Sequence, residues 1–512
     1  MKLSSTLPSV LLIAGVLMAG TPLVAADQVS PDRVSPDRVT TEHVVETYAA
    51  IAYRNYSDSV VSAKALQQAI ASFTAKPSAA GLAAARTAWL AAREDYGPTE
   101  VFRFYGGPID ADPENVEVKI NGWPLDEQWV DYTVETPNSG IVNDAKDYPA
   151  LTPDLLVELN EKGGEKNIAA GYHAIEFLLW GQDRSKVGPG DRPYTDYVDG
   201  GTAQHQDRRR SYLNQAATLL VKQLEQVTTA WDPAVAGNYR AQFLAEKPAE
   251  AAKKAFTGII ILAGDELSGE RLAVAYETQD QEEEQSCFSD NTHRDTILNA
   301  TGIQNIWLGH YKDIQGPGLV DLVEAANPQF ASAASARITA AVAAAKSIPV
   351  PFDQAIMGDD QDPGRKAILA TIENLEGAAD NLVAAAKATG IEIEFGANAN
   401  NAIVGLKEII TQLPAIEAAV AANDKEATAA AVDVVFDKWV RIETAVSRES
   451  PTLYKSLETA MNVVKNAAVR ARTPNPAKVT SACAALAEKI TSVLPTLKAA
   501  EPAAPEAPAT PK

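Results

Sequence analysis

Several common signatures are missing from this chain, and their absence narrows its chemistry. HExxH does not occur in the 512 residues, which removes the usual helical zinc-protease arrangement. The GxSxG elbow, the phosphate-cradling P-loop and the glycine-rich dinucleotide fingerprint are absent too. Positive charge is in short supply: 45 Lys and Arg stand against 67 Asp and Glu, a formal net charge of −22. A nucleic-acid partner needs a basic face, so none is expected. The acidic balance suits attraction of cations, or simple solubility. After the N-terminus no segment approaches the length and apolarity of a membrane span. Alternating β-branched runs are scarce, so a large sheet is not expected. Cysteine is limited to Cys287 and Cys483. In an oxidising compartment they either pair across a long loop or stay independent thiols, and the sequence leaves both open.

The ends carry recognisable segments. Lys2, the apolar stretch Val10 to Ala19 and the small residues Val24-Ala25-Ala26 read as a signal peptide over 1–26. The expected product is exported, and periplasmic or peripherally attached to the outer membrane. Val29-Ser-Pro-Asp-Arg33 is repeated at once as Val34-Ser-Pro-Asp-Arg38, so 27–41 reads as a solvated linker. The Pro- and Ala-rich stretch 498–512 reads as a disordered tail for the same reason.

Between these ends helical spacing dominates. Tyr48, Ile51, Ala52 and Tyr56 recur every three to four residues, as do Leu82, Ala85, Trp89, Ala92 and Tyr96. Tyr212, Ala216, Leu219, Leu220 and Leu224 predict a further helix. The second half is rich in Ala, which favours helix. The fold class predicted is all-α, with two helical-bundle domains at 42–240 and 241–497. The stretches 106–154 and 187–207, rich in Gly, Pro and Asp, read as long functional loops.

The most informative run is Asn167 to Asp183, which sets His173 and Glu176 three residues apart among apolar neighbours. Residues i and i+3 share a helix face, and a helix apolar all round is buried. A buried carboxylate must be paired, hydrogen-bonded or bound to metal. His43 and Glu46 repeat the spacing in a polar setting and read as a solvated helix start. Gly258 to Glu277 predicts one long helix that places Glu266, Glu270 and Glu277 on a narrow stripe. The following loop brings Cys287, Asp290, His293 and Asp295 close together in sequence. Zinc or non-haem iron needs at least one ligand beyond His173 and Glu176. Local chemistry offers Glu100, Glu270, Asp290 and His293 as additional metal ligands. Glu100 and Arg103, three apart, are also expected to pair with each other.

Together these residues resemble the imelysin family, in particular its iron-regulated, exported branch. Gly171, His173 and Glu176 match the family's GxHxxE motif, continued by Phe-Leu-Leu-Trp-Gly-Gln-Asp. The stretches 85–96, 123–126 and 286–293 are similar as well. The resemblance implies duplicated four-helix bundles with GxHxxE at the domain interface. It also implies a link to iron acquisition, with some members classed as metallopeptidases.

Three functions follow as expectations. The first is a periplasmic protein binding a transition metal (iron or zinc), or an iron-containing ligand, through His173 and Glu176. The second is a zinc metallopeptidase in which another carboxylate, Glu270 or Glu100, serves as general base. The third is a module for haem, a siderophore or a polysaccharide, using the aromatic rings of Trp123, Trp180, Tyr194 and Tyr197.

Overall fold

The computed structural model describes residues 39–111, 115–393, 399–440, 442, 446, 450–470, 474–495 and 497. The expected signal peptide, most of the linker and the 498–512 tail lie outside the described residues. The fold is all-α. The strands found among the described residues are the two-residue pair His310–Tyr311 and Ile314–Gln315, a small antiparallel hairpin.

Helix α1 (Thr41–Ala75) begins where the Thr40 side chain accepts from the His43 N–H, and it stops just before Pro77. Helix α2 (Ala79–Tyr96) is capped by Ser78. These two pack with α3 (Gly171–Trp180) and α4 (Gln206–Trp231). The residues predicted at helical spacing in α1, α2 and α4 are all buried. His43 and Glu46 are exposed, as their polar setting suggests. A second set comprises α5 (Pro248–Ile261), α6 (Thr292–Leu308), α7 (Pro328–Ala345) and α8 (Pro363–Ala388). Proline opens α5, α7 and α8, where its missing N–H costs nothing.

Apolar side chains form one cluster from Val44 to Ile391 and another from Ala402 to Leu497. Helix α1 packs on α5 inside the first cluster, so the expected boundary at 240/241 does not coincide with a break between clusters. The second cluster is built by α9 (Ala399–Ala421), α10 (Lys425–Val440), α11 (Pro451–Lys465) and α12 (Pro476–Val493).

The stretch 258–277 departs from the sequence expectation. Helix α5 passes into a π-helix at Leu262–Ala273 and returns to α-helix at Val274–Thr278. Its i→i+5 hydrogen bonds widen the turn, and the stripe computed at 3.6 residues per turn does not survive. Glu266 turns inward to Arg271 and Arg103, whereas Glu277 is exposed. Cys287 and Cys483 are both buried and not bonded to each other.

Candidate functional site

Every residue of α3 is buried. Its entry depends on Gly171, which has φ +83° and lies so close to the 119–120 segment that a Cβ there would stand 2.5 Å from the Ile120 carbonyl oxygen. Only glycine meets both conditions without strain. The first letter of the GxHxxE motif is therefore a backbone requirement, and it sets the register of the two that follow.

His173 and Glu176 meet across one turn, with Nδ1 and Oε2 2.8 Å apart. The other carboxyl oxygen, Oε1, accepts from the Ser289 N–H at 2.9 Å and the Ser289 hydroxyl at 2.7 Å. Both carboxyl oxygens are thus engaged. His173 Nε2 is the exception: it is buried and has no hydrogen-bond partner among the described residues. Burial, opposed by the Ser289 hydroxyl, raises the Glu176 carboxyl to about 8. Burial and then the Arg93 charge lower His173 to about 3. At neutral pH both groups are therefore uncharged. With Oε1 accepting from Ser289, the Glu176 proton sits on Oε2 and points at Nδ1. That arrangement implies the tautomer with the imidazole proton on Nε2, which faces no acceptor among the described residues.

A buried polar chain runs beside this pair. Arg93 donates through Nε and Nη2 to Asp295 Oδ1, at 3.0 and 2.8 Å, and both side chains are 1% exposed. The Ser286 hydroxyl donates to the other Asp295 oxygen. Arg93 also donates to Asn121, which donates to Glu100 Oε1 at 3.3 Å. Arg271 at 2.6 Å and Arg103 at 2.8 Å bind Glu100 Oε2. Burial would raise Glu100, but Arg271 and Arg103 outweigh it and hold the carboxyl at about 2. Arg93 lies over the rings of Trp89, Tyr96 and Tyr172, with centroids 5.1 to 5.7 Å away. The hydroxyls of Tyr56, Tyr96 and Tyr172 are also buried without a partner among the described residues. So many orphaned polar atoms mark a polar interior rather than a sealed apolar core.

The profile of the family described as imelysin (peptidase M75) matches residues 52–382. The chain belongs to the imelysin family. Iron-regulated protein A of Synechococcus elongatus is 26% identical over 308 residues, covering 58% of this chain and 73% of that protein. A crystal structure described as an iron-regulated protein A precursor from Parabacteroides distasonis aligns with a TM-score of 0.55 and 17% identity. It covers 70% of this chain and 97% of that one, which shows the shared fold. An imelysin-like protein from Psychrobacter arcticum aligns with a TM-score of 0.47 and 14% identity, over 70% of this chain and 98% of that one. The profile ends before α9, so the last four helices lie beyond the matched imelysin segment.

Glu100 acts on His173 electrostatically but is itself clamped by two arginines. The expected Glu100–Arg103 pair is present. Glu270 lies half-buried in the π-helix. Asp290 has a left-handed backbone (φ +56°) in the loop before α6, and burial, then the charges of Asp183 and Asp353, raise its carboxyl to about 7. His293 Nδ1 lies 3.1 Å from the Asp290 carbonyl oxygen. Among the described residues no three His, Cys, Asp or Glu side chains are already set to hold a metal. Tyr197 and Trp180 are core residues, the Tyr197 hydroxyl donating to the Leu178 carbonyl. Sequence reading missed Ser289, Arg93 and Arg271, although the first two lie in stretches singled out as family-like. Their partners stand 113, 202 and 171 residues away.

Proposed function

We propose that this chain is an exported imelysin-type protein that takes up a transition metal, iron foremost, as cargo through His173 Nε2. The carrying observation is that buried, unpartnered nitrogen on a ring fixed at Nδ1 by Glu176. Imidazole nitrogen is a good ligand for iron and zinc, and a carboxylate on the other nitrogen orients the ring and raises its basicity. His173 presents the donor atom, Glu176 holds the imidazole, and Ser289 holds Glu176. The other coordination positions fall to water, or to the molecule that carries the iron. The name of the Synechococcus relative and the −22 formal charge support an iron-linked role. No helix among the described residues is long and apolar enough to cross a membrane.

The protonation state gives the reading a signature. Metal on Nε2 expels that proton, and the Glu176 proton shifts to Nδ1, so binding releases one proton below about pH 8. Affinity therefore climbs about tenfold per pH unit up to that value and then levels off. Calorimetry with ferrous or zinc ions should give stoichiometric binding that His173→Ala weakens. Absence of saturable binding removes the reading. Chelator-sensitive peptide cleavage, lost in Glu176→Gln, would instead move the assignment to a metallopeptidase.

A further inference from the structure

Beyond His173, a second group of acidic side chains has no counter-charge. Asp183 follows α3, Glu284 closes the turn at Gln281–Glu283, Asp290 precedes α6, and Asp353 opens the short helix Phe352–Ala355. Glu284 is fully buried, Asp353 is 3% exposed, Asp183 is 7% exposed and Asp290 is half-buried. Asp183 and Asp290 face each other closely enough to share a proton, and Glu284 feels the charges of Asp353, Asp290 and Asp183. Among the described residues none of the four forms an ion pair with Lys, Arg or His.

The second observation is Glu284 itself. Both of its carboxyl oxygens are buried with no hydrogen-bond partner among the described residues, and so is Asp290 Oδ1. The Thr292 hydroxyl is the neighbour that eases the Glu284 charge, and it also accepts from the Ser286 N–H. The outer pair is better held. Asp183 accepts from the Ser185 N–H and the Gln281 amide, and Asp353 from the backbone and side chain of Gln354. Burying carboxyl oxygens without partners, as in Glu284, is costly, and among the described residues no cationic side chain offsets the set.

We propose that Asp183, Glu284, Asp290 and Asp353 form a binding site for a hard divalent cation of the calcium class, separate from His173. All the donors are oxygens, which suits a hard ion with six to eight flexible oxygen ligands and does not suit iron or zinc. Cys287 lies nearby, but burial and then Glu176 push its thiol well up, so it stays protonated and offers no thiolate. The side chains are not yet gathered into a coordination shell. Like charges spread apart, and a divalent ion reverses that interaction. Closing on the ion would take rotation about the Asp and Glu side-chain bonds. The residues just before Glu284, Glu282 and Glu283, line a cleft of about 350 Å3 together with Asp126, Glu165 and Lys166. The ion would tie four separate segments together, including the one that follows the GxHxxE helix and the loop that carries Ser289.

The test is calorimetry and thermal unfolding of the full chain with calcium chloride against chelator at pH 7.5. The expected result is one saturable calcium site that raises the melting temperature. Glu284→Gln and Asp290→Asn each weaken it by about tenfold or more, as loss of a charged ligand does. His173→Ala leaves calcium binding unchanged, so this site and the transition-metal site fail independently. Without calcium, Glu284→Gln should melt no lower than the parent, because it replaces an unpartnered buried carboxyl group with an amide of the same size. Two results overturn the proposal: no saturable calcium binding by the parent chain, or binding that persists unchanged in both variants.

Discussion

Replacing Glu176 by Gln isolates the electrostatic cost carried by the GxHxxE helix. Glutamine keeps an oxygen for the Ser289 donors and offers an N–H to His173 Nδ1, but it never ionises. The parent carboxyl titrates at about 8 when folded, against 4.5 for the ordinary side chain. Below pH 4.5 folded and unfolded chains both hold the proton. Between 4.5 and 8 only the folded chain does, so this group's contribution to stability falls as pH rises, and above 8 the loss is complete. The slope reaches about 1.4 kcal/mol per pH unit, and the whole window amounts to about 5 kcal/mol. Glu117, Glu127 and Asp290 are also raised, each to about 7, so the parent curve alone is a mixture. The difference between parent and Glu176→Gln removes the others. Urea unfolding from pH 5 to 9 should show the parent losing ground to the variant steadily up to pH 8. A flat difference curve would refute the protonated, buried Glu176 on which the proton-release signature depends.

Four further outcomes are expected. Asp295→Ala leaves the Arg93 guanidinium buried without its carboxylate and should cost about 3–5 kcal/mol in urea unfolding. Glu94→Ala, which breaks the exposed pair with Arg294, should cost no more than about 1 kcal/mol. Gly171→Ala forces a Cβ onto the Ile120 carbonyl at positive φ. It should destabilise by about 1–3 kcal/mol and weaken metal binding without touching a ligand, as calorimetry would show. Ser289→Ala removes a donor that holds the Glu176 proton affinity down, so the pH difference curve should shift upward in pH.

Local order was readable in the sequence because it is written in spacing. Trp89 and Tyr96 at helical intervals, the polar His43 and Glu46, and the apolar shell of His173 all behave in the structure as their neighbours along the chain suggest. The Ala-rich stretch 415–434 hid a break, because Ala fits any helix and the turn at Asn423 carries the signal instead. The π-helix at 262–273 was not readable, since nothing in a 3.6-residue pattern announces an i→i+5 ladder. The site was half legible. The His and Glu of the motif are adjacent on one helix, whereas the Ser289 brace and the Arg93–Asp295 pair form only when distant segments meet. The four uncompensated carboxylates likewise come from segments up to 170 residues apart, beyond any local pattern.

The central assignment rests on a single nitrogen atom. Anomalous diffraction from crystals soaked in zinc or ferrous ions at pH 8 addresses it directly. The account predicts a metal peak about 2.0–2.1 Å from His173 Nε2, with Glu176 still on Nδ1. A peak elsewhere, or Nε2 found bonded to a protein group after the soak, would contradict it.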